Sequence, residues 1–364
     1  MKRIIVLALV LCWMLTGCSS WMDGHYASVK PHMEQRPQVD GEITAVSNSQ
    51  EIRSALISLV ASAAESCTLS VENMPSHAVD GNMRSSIQYV LTNDPVAAYA
   101  VESIDYALGI TGGISAVVVT VRYNHNRTEI QQIRQVQGME LASGIIHAAL
   151  DELEPGVVLQ ISNYKTTDFA QLVEDYSLQR PDEVMETPQV IANVYPDSGL
   201  TRVVELKFSY QNSRESLRQM QRYVQPRFTA ASLYVSGDEE QNVRFARLYA
   251  FLMETASYTV ETSITPAYSL LRHSVGDSRA FATVYAAMCQ RAGLDCRVVT
   301  GTKAGEPWFW NMICEDGTYY HVDLLRSYGN GMYQKLTDEQ MEGYVWDYTA
   351  YPKCESLEED TEVT

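Results

Sequence analysis

Apolar and polar positions alternate in two central stretches of the chain. Val117, Val119 and Val121 are spaced two apart, which predicts a strand. Ile130 and Ile133 then fall at helical spacing. Eighty-seven residues later the pattern returns, with Val204, Leu206 and Phe208 followed by Leu217 and Met220. The same offset places Tyr123 on Tyr210, Arg127 on Arg214 and Gln132 on Gln219. It also places Tyr89 and Leu91 on Tyr176 and Leu178, in helical stretches ending near Pro95 and Pro181. Leu69–Asn73 resembles Leu159–Asn163 at an offset of 90. Two tandem α+β modules are therefore expected, over 46–136 and 137–225, each running helix, strand, helix, strand, helix. Two copies are too few for a solenoid. Asp94-Pro95 and Gly112-Gly113 read as turns. Arg127 and Arg214 suit either an anion or a salt bridge near a helix start.

Beyond Asp238 the periodicity changes. Phe245, Leu248, Tyr249 and Leu252 form a helical stripe. A further helix runs from Gly276 to about Arg291, where Ala292-Gly293 stops it. Strands are predicted over 296–300, 309–314 and 319–324, with Glu315-Asp316-Gly317 as a hairpin turn. Thr337 and Gln340 have capping-box spacing. The segment 226–352 thus reads as a third α+β domain, and the acidic tail 353–364 as a solvated end.

The chain has 364 residues, 46% of them hydrophobic, enough for two or three globular domains. Its 45 acidic against 27 basic residues give a formal charge of −18, which argues against a nucleic-acid partner. The membrane is reached by another route. Lys2 and Arg3 precede the apolar run Ile4 to Leu15, too short to span a bilayer but suited to a signal peptide over 1–17. Leu15-Thr16-Gly17-Cys18 resembles a bacterial lipobox, which implies lipidation of Cys18 and an extracytoplasmic, membrane-anchored body on a tether over 18–45. Five cysteines remain at 67, 289, 296, 314 and 354, an odd number that leaves at least one thiol unpaired within the chain. None has metal-ligand spacing, so neither a structural metal nor a cofactor is expected.

The run from Gly276 to Gly301, GDSRAFATVYAAMCQRAGLDCRVVTG, resembles the core of the transglutaminase-like superfamily. Trp308-Phe309-Trp310-Asn311 stands where that family shows His-Ala-Trp-Asn, and Asp323 stands at its third signature. The resemblance covers about residues 230–350 and implies a papain-like domain with a Cys–His–Asp triad. In such a triad the helix start favours the thiolate, the imidazole takes the proton and the carboxylate orients the ring. This chain departs from the pattern twice. Ser278 occupies the cysteine position, where its hydroxyl also suits a helix cap, and Trp308 occupies the histidine position. Indole offers an N–H donor and no basic nitrogen.

His321, two residues before Asp323, shares a strand face with it if the strand is regular, and so stands as a substitute base beside His273. Trp308, Phe309, Trp310, Tyr285, Tyr319 and Tyr320 bring aromatic surface to the region. Trp310 is expected in the core, with Trp308, Phe309 and Tyr320 as ligand contacts. The leading expectation is a cell-surface lipoprotein whose inactive transglutaminase-like domain binds an envelope protein, peptide or glycan. The alternative is an acyl-transfer or hydrolytic enzyme using Ser278 with a nearby histidine.

Overall fold

The computed structural model describes residues 43–254 and 259–355. The chain divides into two units, Met1–Ile43 and Thr44–Thr364. The expected signal peptide, Cys18 and nearly all of the tether lie outside the described residues, as do residues 356–364 of the tail. The last residues of the expected tether, Ile43–Ala45, form strand β1.

The first sheet has the order β1-β2-β4-β3, with β2 at Ser66–Ser70, β3 at Val101–Thr111 and β4 at Ile114–Tyr123. Helices α1 (Ser49–Ala61), α2 (Ser76–Asn93) and α3 (Pro95–Ala100) accompany it. Asn48 starts α1 by accepting from Glu51 N at 3.0 Å. Asp94 separates α2 from α3, accepting from Ala97 N at 2.8 Å, with Pro95 opening the new helix. Ile52, Leu56 and Val60 bury one stripe of α1 against Leu69, Val117 and Val119.

After α4 (Arg127–Gln131), the second sheet has the order β5-β6-β8-β7. Its strands are β5 (Arg134–Gln137), β6 (Gly156–Ser162), β7 (Gln189–Tyr195) and β8 (Thr201–Ser209), with α5 (Gly138–Asp151) and α6 (Phe169–Gln179). Each sheet therefore runs first, second, fourth, third strand in chain order. Four strands per sheet exceed the two per unit expected from the sequence. Two of the additions, β1 and β5, have three and four residues, too few to show a period, and the longer β3 ends in an exposed stretch.

Helix α7 (Arg214–Tyr234) passes without a break through the expected domain boundary at 225/226. Its buried apolar residues Leu217, Val224, Phe228 and Ala231 all join the core of the C-terminal region. That region continues with α8 (Gln241–Glu254), α9 (Pro266–His273), α10 (Ser278–Arg291), β9 (Cys296–Lys303), β10 (Glu306–Glu315), β11 (Thr318–Val322), α11 (Leu324–Gly329) and β12 (Tyr344–Trp346). The strands form an antiparallel sheet in the order β11-β10-β9-β12. On one face α10 buries Phe281, Val284, Tyr285 and Met288 against α7, α8 and the sheet. The other face carries Val299, Trp310, Met312, Tyr344 and Trp346. Asp316 (φ 50°) and Gly317 (φ 86°) make the β10–β11 turn, where a tight hairpin needs two left-handed residues. Helices and separate sheets make the described chain α+β.

The tail also departs from expectation at its start. Cys354 is buried, its N–H donating to Asp338 Oδ1 at 3.2 Å and its carbonyl accepting from Asp338 N at 2.8 Å.

Candidate functional site

The start of α10 is set by Asp277, whose carboxylate accepts from Ala280 N at 3.0 Å. The capping role open to Ser278 is thus taken by its neighbour. Ser278 is the first helical residue and is buried, and its Oγ accepts from Phe309 N at 3.2 Å. The hydroxyl therefore ties the helix start to β10.

Trp308 and Asp323 come together on the sheet. The Trp308 indole Nε1–H donates to Asp323 Oδ2 at 3.0 Å. That carboxylate is only 1% exposed, yet every lone pair has a donor within reach. Oδ2 also receives Lys303 Nζ at 3.0 Å and the Tyr344 hydroxyl at 2.5 Å. Oδ1 receives Leu325 N at 2.9 Å and Arg326 N at 3.1 Å, so Asp323 caps α11. Burial, then the neighbouring Asp323 carboxylate, pushes the Tyr344 hydroxyl pKa up, which keeps this group a donor. The Lys303 ammonium lies 4.7 Å from the Trp308 ring centroid and 4.9 Å from that of Tyr344. Asp323 is therefore saturated by structural partners, and the group that meets it where the family carries an imidazole is an N–H donor. Lys303 and Tyr344 were not legible as site residues. They sit 41 positions apart, and only the pairing of β12 with β9 (Tyr344 opposite Lys303) joins them.

His321 has both ring nitrogens engaged by partners other than Ser278. The strand ends at Val322, so Asp323 lies beyond the alternation that would have put both side chains on one face. His321 is fully buried. Its Nδ1 accepts from the Trp310 indole at 2.9 Å, and its Nε2 meets Asp338 Oδ1 at 2.9 Å. Because indole can only donate, Nδ1 must be the bare nitrogen and the imidazole proton sits on Nε2, pointing at Asp338. Burial lowers the His321 pKa, and the hydrogen bond to Asp338 opposes that in part. His273 ends α9, edge-on to Tyr268 with centroids 5.5 Å apart.

The expected aromatic cleft divides as well. Trp310 is fully buried, and Trp308 is half-buried on the same sheet face. Phe309 alternates to the α10 side, where Arg279 lies 5.8 Å from its ring centroid. Tyr320 pairs with Ile313 and packs against the α10 core, beneath Lys335 at 4.8 Å. Trp308 and Tyr320 thus belong to opposite faces. Tyr285 is core, its hydroxyl donating to Phe245 O at 2.9 Å.

His321, Asp338 and Cys354 form a cluster that the sequence spacing did not show, with one donor atom from each within 4.8 Å of the others. The set does not fit a metal. Nε2 would have to ligate, but it carries the proton fixed by Trp310 on the other side of the ring. Burial pushes the Cys354 thiol up to about 12, away from the thiolate a metal needs.

A family model described as the transglutaminase-like superfamily matches residues 229–324. No curated protein matches the chain. Among solved structures, a TGase is 10% identical at a TM-score of 0.25, covering 46% of this chain and 50% of its own. A candidate cysteine protease from Cytophaga hutchinsonii is 14% identical at 0.25, covering 41% of this chain and 65% of its own. A candidate protease from Parabacteroides distasonis is 10% identical at 0.22, covering 70% and 40%. The chain thus spans about half the length of the first of these.

Proposed function

We propose, with residues 229–324 a transglutaminase-like domain as the premise, that this protein binds rather than catalyses. It would serve as a scaffolding or ligand-binding lipoprotein at the bacterial cell envelope, anchored through Cys18. The observation that carries this reading is the Trp308 N–H donating to Asp323. Acyl transfer through Ser278 needs a base to remove its proton, and indole has no nitrogen lone pair to do so. Ser278 Oγ already accepts from a backbone N–H, and His321 has both ring nitrogens engaged elsewhere. The partner is an envelope protein, peptide or glycan, and the half-buried Trp308, beside Asp323, is the candidate contact.

The test is turnover. The full chain is incubated with an activated ester, and separately with a glutamine peptide and a primary amine, beside a Ser278→Ala variant. Equal rates for both proteins are expected, at the level of buffer. Turnover that Ser278→Ala abolishes would establish the enzyme instead. Labelling of cells with a tagged fatty acid checks the anchor, with label expected on the wild-type chain and lost in Cys18→Ala.

A further inference from the structure

Strand β9 is covered along its outer edge for only part of its length. β10 pairs with all of it, whereas β12 pairs only with Gly301, Thr302 and Lys303. In an antiparallel ladder, alternate residues turn both backbone groups toward the same neighbour. Cys296, Val298 and Thr300 direct theirs away from β10, as their contacts show. Cys296 O accepts from Gln290 Nε2 at 2.9 Å. Val298 O and Thr300 N each meet the Tyr351 hydroxyl, at 3.5 and 3.4 Å, the outer limit of a hydrogen bond.

A groove of about 440 Å³ runs beside this edge. Its near wall is Cys296 to Thr300, its far wall is α6 with Asp175, Leu178 and Gln179, and Tyr351 stands at one end. Five residues of strand offer about 14 Å of backbone, and a further strand needs about 4.8 Å of width. The walls come from two parts of the fold joined by ion pairs. The buried Asp182 accepts from Arg291 Nη2 at 2.5 Å, and the partly exposed Arg279 reaches Glu174 at 2.8 Å.

We infer that this groove binds an extended peptide, which adds as a strand to the Cys296–Thr300 edge and places a lysine or arginine beside Asp175. Main-chain pairing supplies affinity in this mode, and alternate side chains supply selection. The charge follows from the lining. Arg297 is committed to Asp295 through contacts at 3.3 and 3.2 Å, whereas Asp175 makes no ion pair among the described residues and accepts only from the Gln171 amide at 2.8 Å. A ligand cation would complement this exposed carboxylate. Leu178 gives the neighbouring position an apolar floor. Tyr351 acts as a placeholder at Val298 O and Thr300 N, which an incoming strand would use, while the Gln290 amide covers Cys296 O and ends the free edge there. The inference is independent of whether Ser278 is active, because the groove lies on the opposite edge of β9 from β10.

The probe is a fluorescent peptide, acetyl-Val-Thr-Lys-Thr-Val-amide, read by anisotropy against the full chain. A version with alternate backbone nitrogens methylated cannot complete the ladder, and a version with Glu for Lys inverts the charge. Saturable binding is expected for the first. The methylated and glutamate peptides should bind at least about tenfold more weakly, the loss of one or two such interactions. Asp175→Lys should reverse the preference between Lys and Glu, and Tyr351→Phe should tighten binding about two- to fivefold. Hydrogen exchange at Val298 and Thr300 should slow on saturation. Failure of the lysine peptide to bind, equal binding of the methylated peptide, or unchanged exchange at both amides would each overturn the inference. Asp175 is exposed, and Tyr351→Phe keeps the ring that packs on the Val299–Trp310 cluster, so both variants should fold, which circular dichroism checks.

Discussion

The Trp310 indole donates to His321 Nδ1 at 2.9 Å, and this one direction settles the protonation of the ring. It places the proton on Nε2 and leaves no room for a second one at Nδ1, where two N–H groups would face each other. Burial holds the His321 pKa below its ordinary value of 6.5, against a partial opposing pull from Asp338. An unfolded chain then binds more protons than the folded one between the native value and 6.5, so stability rises with pH across that window and falls as pH drops through it. His321→Leu should cost about 1–3 kcal/mol at pH 7.5, because it orphans the Trp310 donor. It should also flatten the fall in melting temperature between pH 6.5 and 5. An unchanged slope would show that His321 is not the titrating group.

Asp323 separates a structural from a catalytic role. A carboxylate kept for chemistry can be removed with little loss of stability, but this one holds Lys303, Trp308, Tyr344 and two helix N–H groups. Asp323→Asn should destabilise by about 2–4 kcal/mol, the lower end reflecting that Lys303 is one-third exposed and can rehydrate. Chemical denaturation gives the value directly. A cost below 0.5 kcal/mol would contradict the role described.

Restoring the family's two residue types should not by itself restore thiol reactivity. Trp308 shares the sheet face of Trp310, whereas Phe309 turns to the α10 side, at whose start Ser278 sits. An imidazole from Trp308→His would therefore meet Asp323 without meeting a thiol from Ser278→Cys. Iodoacetamide at pH 6 should label Ser278→Cys and the double variant at rates within about twofold of each other. A gain of about tenfold or more in the double variant would mean that position 308 does face position 278.

Gly301 marks where β12 meets β9. A Cβ there would sit 2.3 Å from Val345 O and 2.8 Å from the Trp310 ring. Gly301→Ala should cost about 1–3 kcal/mol and loosen the strand that carries Tyr344. Thermal unfolding checks the first, and hydrogen exchange at Val345 the second.

Much of the C-terminal region could be read from the chain. Gly293 stops α10, Asp316-Gly317 turns the hairpin, and the alternation around Trp310 points it inward. What failed to read were relationships that no spacing encodes. His321 and Asp323 are two residues apart, but the strand ends between them, so a local rule gave the wrong face. Lys303 and Tyr344 reach Asp323, and Asp338 and Cys354 gather beside His321, because β12 and the segments on either side of it fold back over the sheet. Ser278 suited a cap by residue type, yet Asp277 was the better acceptor one position earlier. In the central region β1 and β5 were missed because three or four residues carry no measurable period.

Helix α7 has a practical consequence for anyone isolating the C-terminal region. The family match begins at residue 229, one position past Phe228, whose side chain is fully sheltered. A fragment cut there would lose Leu217, Val224 and Phe228 from a shared core and uncover the apolar surface of α10 beneath them. It would also strand Arg291 without Asp182. Excised at its homology limits, the region would be sticky and insoluble. Expression trials should begin ahead of Ser213, the residue that caps α7, and preferably include Asp182.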